Sequence, residues 1–428
     1  EFWTSATDLP HLSSTRFPIP ACCRYRPPPE MTPPLLLTYF DRTARWMKRG
    51  GRENDIVLSS RVRLARNLKY FEFPHRASPR DLLVIRHRTL QALHATAEAG
   101  SALSDGRHLL FENFNSWERQ SLIDRYVTSR EHIEEEMGRA VIASPDASLA
   151  VLINEEDHLR IQSLLPGLQL DAAHTAVDRL DDALETWLDE RSGLAYSETF
   201  GYLTTCPTNA GTGLRASVMM HLPALEITGK MERTRKWAEE NQLALRGSFG
   251  EGSKIWGHLH QLSNQLTLGV DETETLLMTE NAARELCDME RRARVALNSD
   301  KWQEEARDRI GRAFGTLRYA RRVGCREATE ALSLLRMAHE MNWAKGLTRQ
   351  RFNELLVWIR PAYMQVLHGR TIHSQERDIL RATMLRPHIA RIKLDAAMTS
   401  AETPRGASSA RDYLPHTNVT APGETPAI

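Results

Sequence analysis

Apolar and polar residues alternate in two different ways along the chain, and the change falls near residue 270. Across residues 55–269, short runs with a period of two predict strands with one solvent-facing side, and runs with helical spacing lie between them. In one such run, Val62 and Leu64 alternate with Arg61 and Arg63. The pattern predicts an α+β fold in which helices flank a largely antiparallel sheet.

Three further runs in this region add to the prediction. Two have a period of two and predict strands, with apolar residues at Val151 and Ile153 and at Leu262, Leu266 and Leu268. The third has helical spacing and predicts a helix, with apolar residues at Leu214, Val218, Leu222 and Leu225.

After about Asp271 the period of two ends, and residues 275–395 are predicted to be wholly helical. Apolar residues recur there at helical spacing, at Ala328, Leu332 and Leu335 and again at Phe352, Leu355, Leu356 and Ile359. We therefore predict a mixed domain over residues 54–286, followed by an all-α domain over residues 287–395.

Both ends of the chain are predicted to be disordered. Eight of the twenty prolines fall within residues 1–35, where a fixed φ and a missing donor oppose helices and ladders. We assign residues 1–40 to a disordered segment, and because the first methionine is Met31 we expect residues 1–30 to be foreign to the native protein or read from an upstream start. The tail over residues 399–428 is rich in small and polar residues without periodicity.

Composition narrows the class of protein. With 428 residues, the chain is long enough for about two or three domains. Its formal net charge of +1 argues against a nucleic-acid or membrane-surface partner. Five cysteines without a C-x-x-C pair fit neither a disulfide framework nor a zinc site, and no run approaches the length of a membrane span. We expect a soluble, cytoplasmic protein.

The nucleotide-binding patterns G-x-x-x-x-G-K-[ST], G-x-G-x-x-G and H-R-D with D-F-G are absent, so a phosphate site has to be built from other residues. The strand predicted around residues 59–63 (S-S-R-V-R) places Arg61 and Arg63 on one face. Two guanidinium groups there suit bidentate phosphate binding, although a solvated basic face explains the same pattern.

A second segment, N-E-E-D-H-L-R at 154–160, predicts a turn between two strands. Glu156, His158 and Arg160 then share the face opposite Leu159 and Ile161. Three adjacent acids repel one another unless a cation or a substrate lies among them, and a solvated turn remains the alternative.

A third segment covers residues 201–217 and is predicted to run from a strand through a loop rich in Gly, Thr and Asn into a helix. Arg215 falls in the first turn of that helix, where backbone donors and the helix dipole favour an anion. Cys206 lies in the loop, either as a small core residue or as a partly exposed thiolate near cations.

A fourth segment, R-G-S-F-G-E at 246–251, places glycines on both sides of Glu251, since Gly252 follows it. Glycines let the backbone and one carboxylate approach a ligand closely, but most glutamates of this kind lie in ordinary turns.

Taken together, the four segments resemble the signatures of the ATP:guanido phosphotransferases, the family of the arginine and creatine kinases. Members carry S-[ST]-R-V-R, N-E-E-D-H-L-R, T-x-C-P-[ST]-N-x-G-T-x-x-R-A-S and R-G-x-x-G-E in this order. The resemblance covers residues 54–286. It is closest to the bacterial protein-arginine kinases, through the segments 165–169, 217–225, 250–253 and 261–269.

The resemblance implies a phosphoryl transfer from ATP, with Mg²⁺, to a guanidino nitrogen. It assigns catalytic roles to Glu156 and Glu251, which would orient and deprotonate the guanidino group, and to Cys206, which would tune the site beside it. The residues that it assigns to ATP binding are Ser59, Ser60, Arg61, Val62, Arg63, Arg160, Arg215, Ala216, Ser217, Val218, Met219, Arg246, Gly247, Ser248, Phe249, Gly250 and Glu251. No protein side chain is predicted to bind a metal.

Two features favour a protein substrate over free arginine. Only 53 residues precede Asn54, so we expect no counterpart of the N-terminal helical domain of the small-molecule kinases, and the helical region resembles the C-terminal domain of the protein-arginine kinases. Within it, residues 377–382 match their R-D-x-x-R-A motif. The resemblance assigns phosphoarginine binding to Arg377, Asp378, Arg381 and Ala382, on a helix capped by Ser374.

The resemblance also implies a role in marking proteins for quality control and degradation under stress. Implied partners are a Clp-type protease chaperone, a heat-shock repressor, a zinc-binding activator protein and further copies of the chain.

Two residues depart from the family pattern. Relatives have an acid at the position of Lys254 and a nucleotide-contacting histidine at the position of Tyr126. A kinase of small guanidines and an inactive phosphoarginine-binding adaptor are the alternative functions.

Overall fold

The computed structural model describes residues 39–40, 43–48, 50–98, 103, 105–189, 193–247 and 256–399. Nearly all of the predicted disordered segments, 1–40 and 399–428, lie outside these residues, as do Ser248, Phe249, Gly250, Glu251 and Lys254.

The strands of the described residues form one large sheet and two small ones. They are β1 (Val57–Arg66), β2 (Arg107–Leu110), β3 (Ala140–Ala143), β4 (Leu149–Ile153), β5 (Leu159–Pro166), β6 (Tyr196–Ser197), β7 (Gly201–Tyr202), β8 (Leu214–His221), β9 (Leu243–Gly247), β10 (Leu259–Asn264), β11 (Ala344–Lys345) and β12 (Lys393–Leu394). The large sheet has eight strands in the order β2-β3-β4-β5-β1-β8-β10-β9, with every pair antiparallel.

The helices lie between the strands and then take over the C-terminal region. They are α1 (Pro79–Glu98), α2 (Ser116–Asp124), α3 (Arg130–Ile133), α4 (Leu170–Asp189), α5 (Pro223–Ile227), α6 (Met231–Glu240), α7 (Glu272–Ala296), α8 (Gln303–Tyr319), α9 (Cys325–Glu340), α10 (Arg349–Trp358), α11 (Pro361–His368), α12 (Ser374–Ile389) and α13 (Ala396–Thr399). Short 3-10 turns cover Arg45–Met47, Phe111–Asn113 and Pro207–Asn209.

Helix α4 covers one face of the large sheet. The side chains of Ser60, Val62, Leu64 and Arg66 alternate onto that face of β1. The Ser60 hydroxyl accepts a hydrogen bond from the Gln169 amide just before α4, and Arg66 forms an ion pair with Asp181 within α4. The opposite face of β1, which carries Arg61 and Arg63, is therefore free to line a site.

The C-terminal helices pack against the sheet region through one continuous hydrophobic cluster. Helix α7 begins where the period of two ends, because the Asp271 side chain caps it by accepting from the Glu274 amide at 2.6 Å. The predicted domain boundary between residues 286 and 287 lies inside this helix, so α7 is shared by both regions. Helix α11 packs on α2, where the Tyr363 amide donates to Asp124.

The structure confirms the α+β class and the helical C-terminal region, and it corrects four local predictions. Residues 214–221 form strand β8 and not a helix. A spacing of four residues satisfies both a helix and a strand, and the flanking strands β1 and β10 decide between them. Leu266 and Leu268 follow β10 instead of extending it.

The other two corrections concern burial and the helical region. Strand β4 has no wet face, because all five of its residues are buried. Residues 275–395 are not wholly helical, since β11 and β12 pair within them. No helix among the described residues is both long enough and apolar enough to cross a membrane.

Candidate active site

A cavity of about 560 Å³ opens on the face of the large sheet opposite helix α4. Alternate residues of neighbouring strands form its floor, because the antiparallel register aligns them: Arg63 lies opposite Gln162 on one side and Arg215 on the other. The floor comprises Arg61, Arg63, Ala65, Leu152, Arg160, Gln162, Arg215, Arg246, Gln261 and Ser263. Residues from four segments between or beside the strands form the walls: Ile123, Tyr126, Thr128, Ser129, Arg130, Glu131, Glu155, Glu156, Cys206, Thr208, Asn209, Gly213 and Gln265.

Six arginines among the described residues line this cavity, and the pKa of three of them is lowered. Burial is the main reason that the pKa of the Arg61 guanidinium falls to about 10. Burial, followed by the charges of Arg61 and Arg160, holds the pKa of Arg63 well below its ordinary value. Burial and neighbouring Arg246 lower the pKa of Arg215. An anion among these side chains would relieve their mutual repulsion.

Arg61 and Arg63 differ in how they are held. Arg61 donates through Nη2 to Gln261 Oε1 at 3.0 Å and through Nε to the Ser217 hydroxyl at 3.5 Å. Nε of Arg63 is buried without a hydrogen-bond partner in the described part of the chain. A buried donor without a partner is expected where a ligand supplies the acceptor, so the cavity fits the phosphates of a nucleotide.

The turn between β4 and β5 supplies the carboxylates of the site. Arg160 lies between two of them, with Nη1 at 2.6 Å from Glu155 and Nη2 at 2.6 Å from Glu156. Burial acts to lower the pKa of Arg160, but the carboxylates of Glu155, Glu156 and Asp157 outweigh it and raise that pKa. The acids predicted to repel one another are therefore compensated by an arginine of the same hairpin.

The two glutamates of this turn have different surroundings. The Glu155 side chain is 2% exposed and accepts from the Ser129 hydroxyl at 2.6 Å. Burial acts to raise the pKa of Glu155, but Arg160 and other donors lower it to about 2. The Glu156 side chain is 38% exposed and lines the cavity. Glu155 is therefore placed to hold Arg160, and Glu156 is placed to meet a substrate.

The loop that carries Cys206 is fixed beside Glu156. Asp157 is buried and accepts from the Thr205 amide at 2.7 Å and from Asn67 Nδ2 at 2.8 Å. Asn209 donates to Glu156 at 3.3 Å. Sγ of Cys206 lies 3.1 Å from the Thr208 hydroxyl, and the thiol is half-buried in the cavity wall.

Arg215 holds the other side of this loop. Its guanidinium donates to Asn209 Oδ1 at 2.9 Å, to the Thr208 carbonyl at 2.9 Å and to the Asn264 carbonyl at 2.7 Å. Arg215 lies on strand β8 and not in the first turn of a helix, so the predicted helix dipole at Arg215 is wrong. Arg215 does line the cavity, but it is a strand of the sheet that places it there.

The residues assigned to ATP binding by resemblance separate into four groups. Those that line the cavity are Arg61, Arg63, Arg160, Arg215 and Arg246. Outside the lining, the same face of the sheet as these arginines carries Ser59, Ser217 and Met219. Because side chains alternate along a strand, the opposite face carries Ser60, Val62, Ala216 and Val218. Gly247 ends β9, and Ser248, Phe249, Gly250 and Glu251 lie outside the described residues.

Three charged residues that line the cavity, Arg130, Glu131 and Glu155, were assigned no role by the sequence analysis. Arg130 lines it at the start of helix α3, which the Ser129 side chain caps. Glu155 is the buried partner of Arg160. The S-R-E sequence at 129–131 is a helix-start signal, but nothing local shows that the helix meets the sheet. Tyr126, noted as a departure, lines the cavity with a φ of 61° and with its ring against Trp46.

The motif assigned to phosphoarginine lies on helix α12, separate from the residues that line the cavity. Arg381 is 1% exposed and donates to the Ile359 carbonyl, to the Val323 carbonyl and to Asp378, at 2.8, 2.8 and 2.6 Å. Nη1 of Arg377 donates to the Ile372 carbonyl. Ser374 is the first residue of the helix, so the predicted cap is displaced by one residue to His373, whose side chain makes no capping bond.

Similarity to known proteins agrees with this geometry. Residues 89–293 match the C-terminal catalytic domain of the ATP:guanido phosphotransferases, and residues 303–402 match the C-terminal domain of the protein-arginine kinase McsB. A protein-arginine kinase of Pelotomaculum thermopropionicum is 40% identical over 82% of this chain and 96% of its own length. The chain belongs to the protein-arginine kinase family.

Two further similarities support the assignment. A protein-arginine kinase of Bacillus subtilis is 37% identical over 82% of this chain and 94% of its own length. The crystal structure of a lombricine kinase shares the fold, with a TM-score of 0.51 and 22% identity over 61% of this chain and 74% of that chain. The predicted family, fold class and ATP-dependent phosphotransferase activity are thereby confirmed. The assigned site residues and domain limits stay predictions.

Proposed function

We propose that this protein transfers the γ-phosphoryl group of ATP to arginine side chains of proteins. The observation that carries the proposal is the meeting, in one cavity, of an arginine cluster in which Nε of Arg63 is buried without an acceptor among the described residues and of the partly exposed carboxylate of Glu156. The cluster suits the nucleotide phosphates, and the carboxylate suits the guanidino acceptor.

The reaction requires both the arginine cluster and the carboxylate. A guanidinium has a pKa above about 12 and is a poor nucleophile until a carboxylate orients it and takes a proton. In the step, a guanidino nitrogen attacks the γ-phosphorus, the bond to the β–γ bridging oxygen breaks, ADP leaves, and the released proton goes to a carboxylate. We assign that role to Glu156 with Glu251. Cys206 would lie beside the acceptor without forming a covalent bond.

Positioning of the nucleotide falls to the arginines. Arg61, Arg63, Arg160 and Arg246 would hold the phosphates in line. Mg²⁺, held by the phosphate oxygens and not by protein side chains, would neutralise charge that develops between the β- and γ-phosphates.

Exposed apolar residues that adjoin the cavity-lining segments along the chain favour a polypeptide over free arginine. Leu266 and Leu268 are 42% and 51% exposed and follow Gln265, which lines the cavity. Phe200 is 55% exposed, and its neighbour Gly201 pairs with the loop that carries Cys206. Residues that flank a target arginine in an unfolded segment could pack on these side chains, whereas free arginine could not. A kinase of small guanidines is the second candidate.

The finer assignments are also proposals. We propose a catalytic domain over residues 54–286, a helical domain over residues 287–395 with phosphoarginine binding by Arg377, Asp378, Arg381 and Ala382, and a location in the cytoplasm. The family resemblance supports a role in protein quality control, a homo-oligomeric state, and a Clp-type chaperone, a heat-shock repressor and a zinc-binding activator as partners.

The test compares an unfolded, arginine-rich protein with free arginine as acceptors for the wild type and for Glu156→Gln. Phosphoarginine is measured by mass spectrometry. We expect the protein to be the better acceptor, and Glu156→Gln to lose at least about 100-fold in rate because proton transfer to the carboxylate is lost. The control is Glu232→Gln, at a carboxylate that is 72% exposed outside the cavity.

Two outcomes would overturn parts of the proposal. Faster transfer to free arginine would move the protein to the small-guanidine kinases. More than about a tenth of wild-type activity in Glu156→Gln would remove that carboxylate from the chemistry.

A further inference from the structure

A second cluster of ligating side chains lies on the other face of the sheet. His174 and Asp178 are four residues apart and therefore adjacent on one side of helix α4, and Glu272 is the first residue of helix α7. One ligand atom of each lies within 4.8 Å of the other two. Nε2 of His174 is 2.6 Å from Oε2 of Glu272. All three residues are half-buried.

The surroundings of this cluster are negative. Asp171 and Asp178 both act on the His174 imidazole from the same helix. Arg66 of strand β1 is engaged by Asp181, and Arg179, the basic residue that follows Asp178 on α4, is exposed. No hydrogen bond or ion pair of Asp178 is recorded within the described ranges. His174 and Arg179 carry at most two positive charges against the three carboxylates of Asp171, Asp178 and Glu272, so a cation is favoured here.

We propose that His174, Asp178 and Glu272 bind one zinc ion. One imidazole and two carboxylates are ligands that zinc accepts, with bonds of about 2.0–2.2 Å and a water completing a tetrahedron. Those bonds place ligand atoms about 3.3–3.5 Å apart, so His174 and Glu272 separate by less than about 1 Å and Asp178 closes in through a rotation of its side chain. The imidazole discriminates against Mg²⁺, which prefers oxygen ligands.

Binding has a defined proton balance. Nε2 must lose its proton to bind the metal, so one proton passes from a protonated His174 to solvent for each zinc bound. Zinc therefore replaces the proton between His174 and Glu272, and binding weakens as the pH falls.

The site would join two parts of the fold. Helix α4 lies on the sheet, and α7 leads into the C-terminal helices while its Glu290 accepts from the backbone amides of Ala224 and Leu225. An ion at the first residue of α7 would hold the start of that helix against α4, on the face opposite the catalytic cavity. Its expected effect is on stability and not on ATP binding.

The experiment is a calorimetric titration of zinc into the full chain, stripped with a chelator and kept in millimolar Mg²⁺. We expect one equivalent to bind to the wild type and to the control His87→Gln, which removes an exposed imidazole on helix α1. His174→Gln keeps a hydrogen-bond donor for Glu272 but should weaken binding by more than about 100-fold, since loss of an outer-shell partner alone costs 10–100-fold. Asp178→Asn should weaken it by at least about tenfold.

Thermal unfolding and X-ray absorption complete the test. Zinc should raise the unfolding temperature of the wild type and of His87→Gln but not of His174→Gln. Absorption spectra should show nitrogen and oxygen ligands only. Equal binding by the wild type and His174→Gln, a sulfur ligand, or no uptake below about 0.1 mM zinc would each overturn the proposal.

Discussion

Arginines from two regions of this protein are both assigned to phosphate recognition, yet their surroundings are opposite. Arg63, in the cavity, has a buried Nε without an acceptor among the described residues and a pKa held well below its ordinary value. Arg381, on helix α12, gives its donors to two backbone carbonyls and to Asp378. Arg63 can therefore donate to an external anion, whereas the donors of Arg381 already join three C-terminal segments.

The comparison teaches that a motif arginine can act in two ways. A guanidinium short of acceptors is poised for a ligand and lowers the stability of the empty site. A satisfied guanidinium supports the scaffold, and any phosphoarginine bound at α12 would meet the more exposed Asp378 and Arg377 first. Substituting the two arginines in the same way separates these roles.

The largest expected effect is on stability at α12. Arg381→Met leaves the buried carbonyls of Ile359 and Val323 without a donor, so we expect the free energy of unfolding to fall by about 3 kcal/mol. Denaturant unfolding measures it. The companion Arg377→Ala should leave stability within about 0.5 kcal/mol while weakening phosphoarginine binding in a titration. An unchanged stability of Arg381→Met would show that its contacts are not structural.

The matched substitution in the cavity should lower activity and leave stability intact. Arg63→Met removes a phosphate donor, so we expect kcat/KM for ATP to fall by about 30-fold or more, which corresponds to about 2 kcal/mol. The free energy of unfolding should stay the same or rise, because a buried cation among cations is removed. If Arg63→Met unfolds as easily as Arg381→Met, the contrast between the two regions is wrong.

A smaller effect concerns Glu155, which holds Arg160. Its folded-state pKa of about 2 lies below the value of about 4.3 for an unperturbed glutamate, so it stabilises the fold at pH 5, and this contribution is lost as the pH falls towards 2. The stability difference between the wild type and Glu155→Gln should narrow by about 1–2 kcal/mol from pH 5 to pH 3.

Urea unfolding at the two pH values measures that change, and Glu232→Gln serves as the control with an exposed carboxylate. If the stability difference between the wild type and Glu155→Gln stays constant from pH 5 to pH 3, the ion pair with Arg160 does not lower the pKa of Glu155. Arg160 would then be held by Glu156 and not by Glu155.

Much of the fold and of the site followed from local patterns. Strand β1 was predicted with Arg61 and Arg63 on one face, and the structure places both in the cavity. The turn at Glu156 was predicted between two strands and lies between β4 and β5. Residues 214–221 were predicted wrongly, because Leu214 and Val218 fit either period and only pairing with β1 and β10 selects a strand.

The sequence by itself determined which side chains share a face, since the periods of strands and helices depend on the backbone of neighbouring residues alone. The motif order, read in the same way, determined the family. Only the tertiary structure decided which guanidinium groups find acceptors, as for Arg63 and Arg381, and that Glu272 meets His174 across 98 residues. Burial and hydrogen-bond partners come from segments distant in the chain, and no local pattern records them.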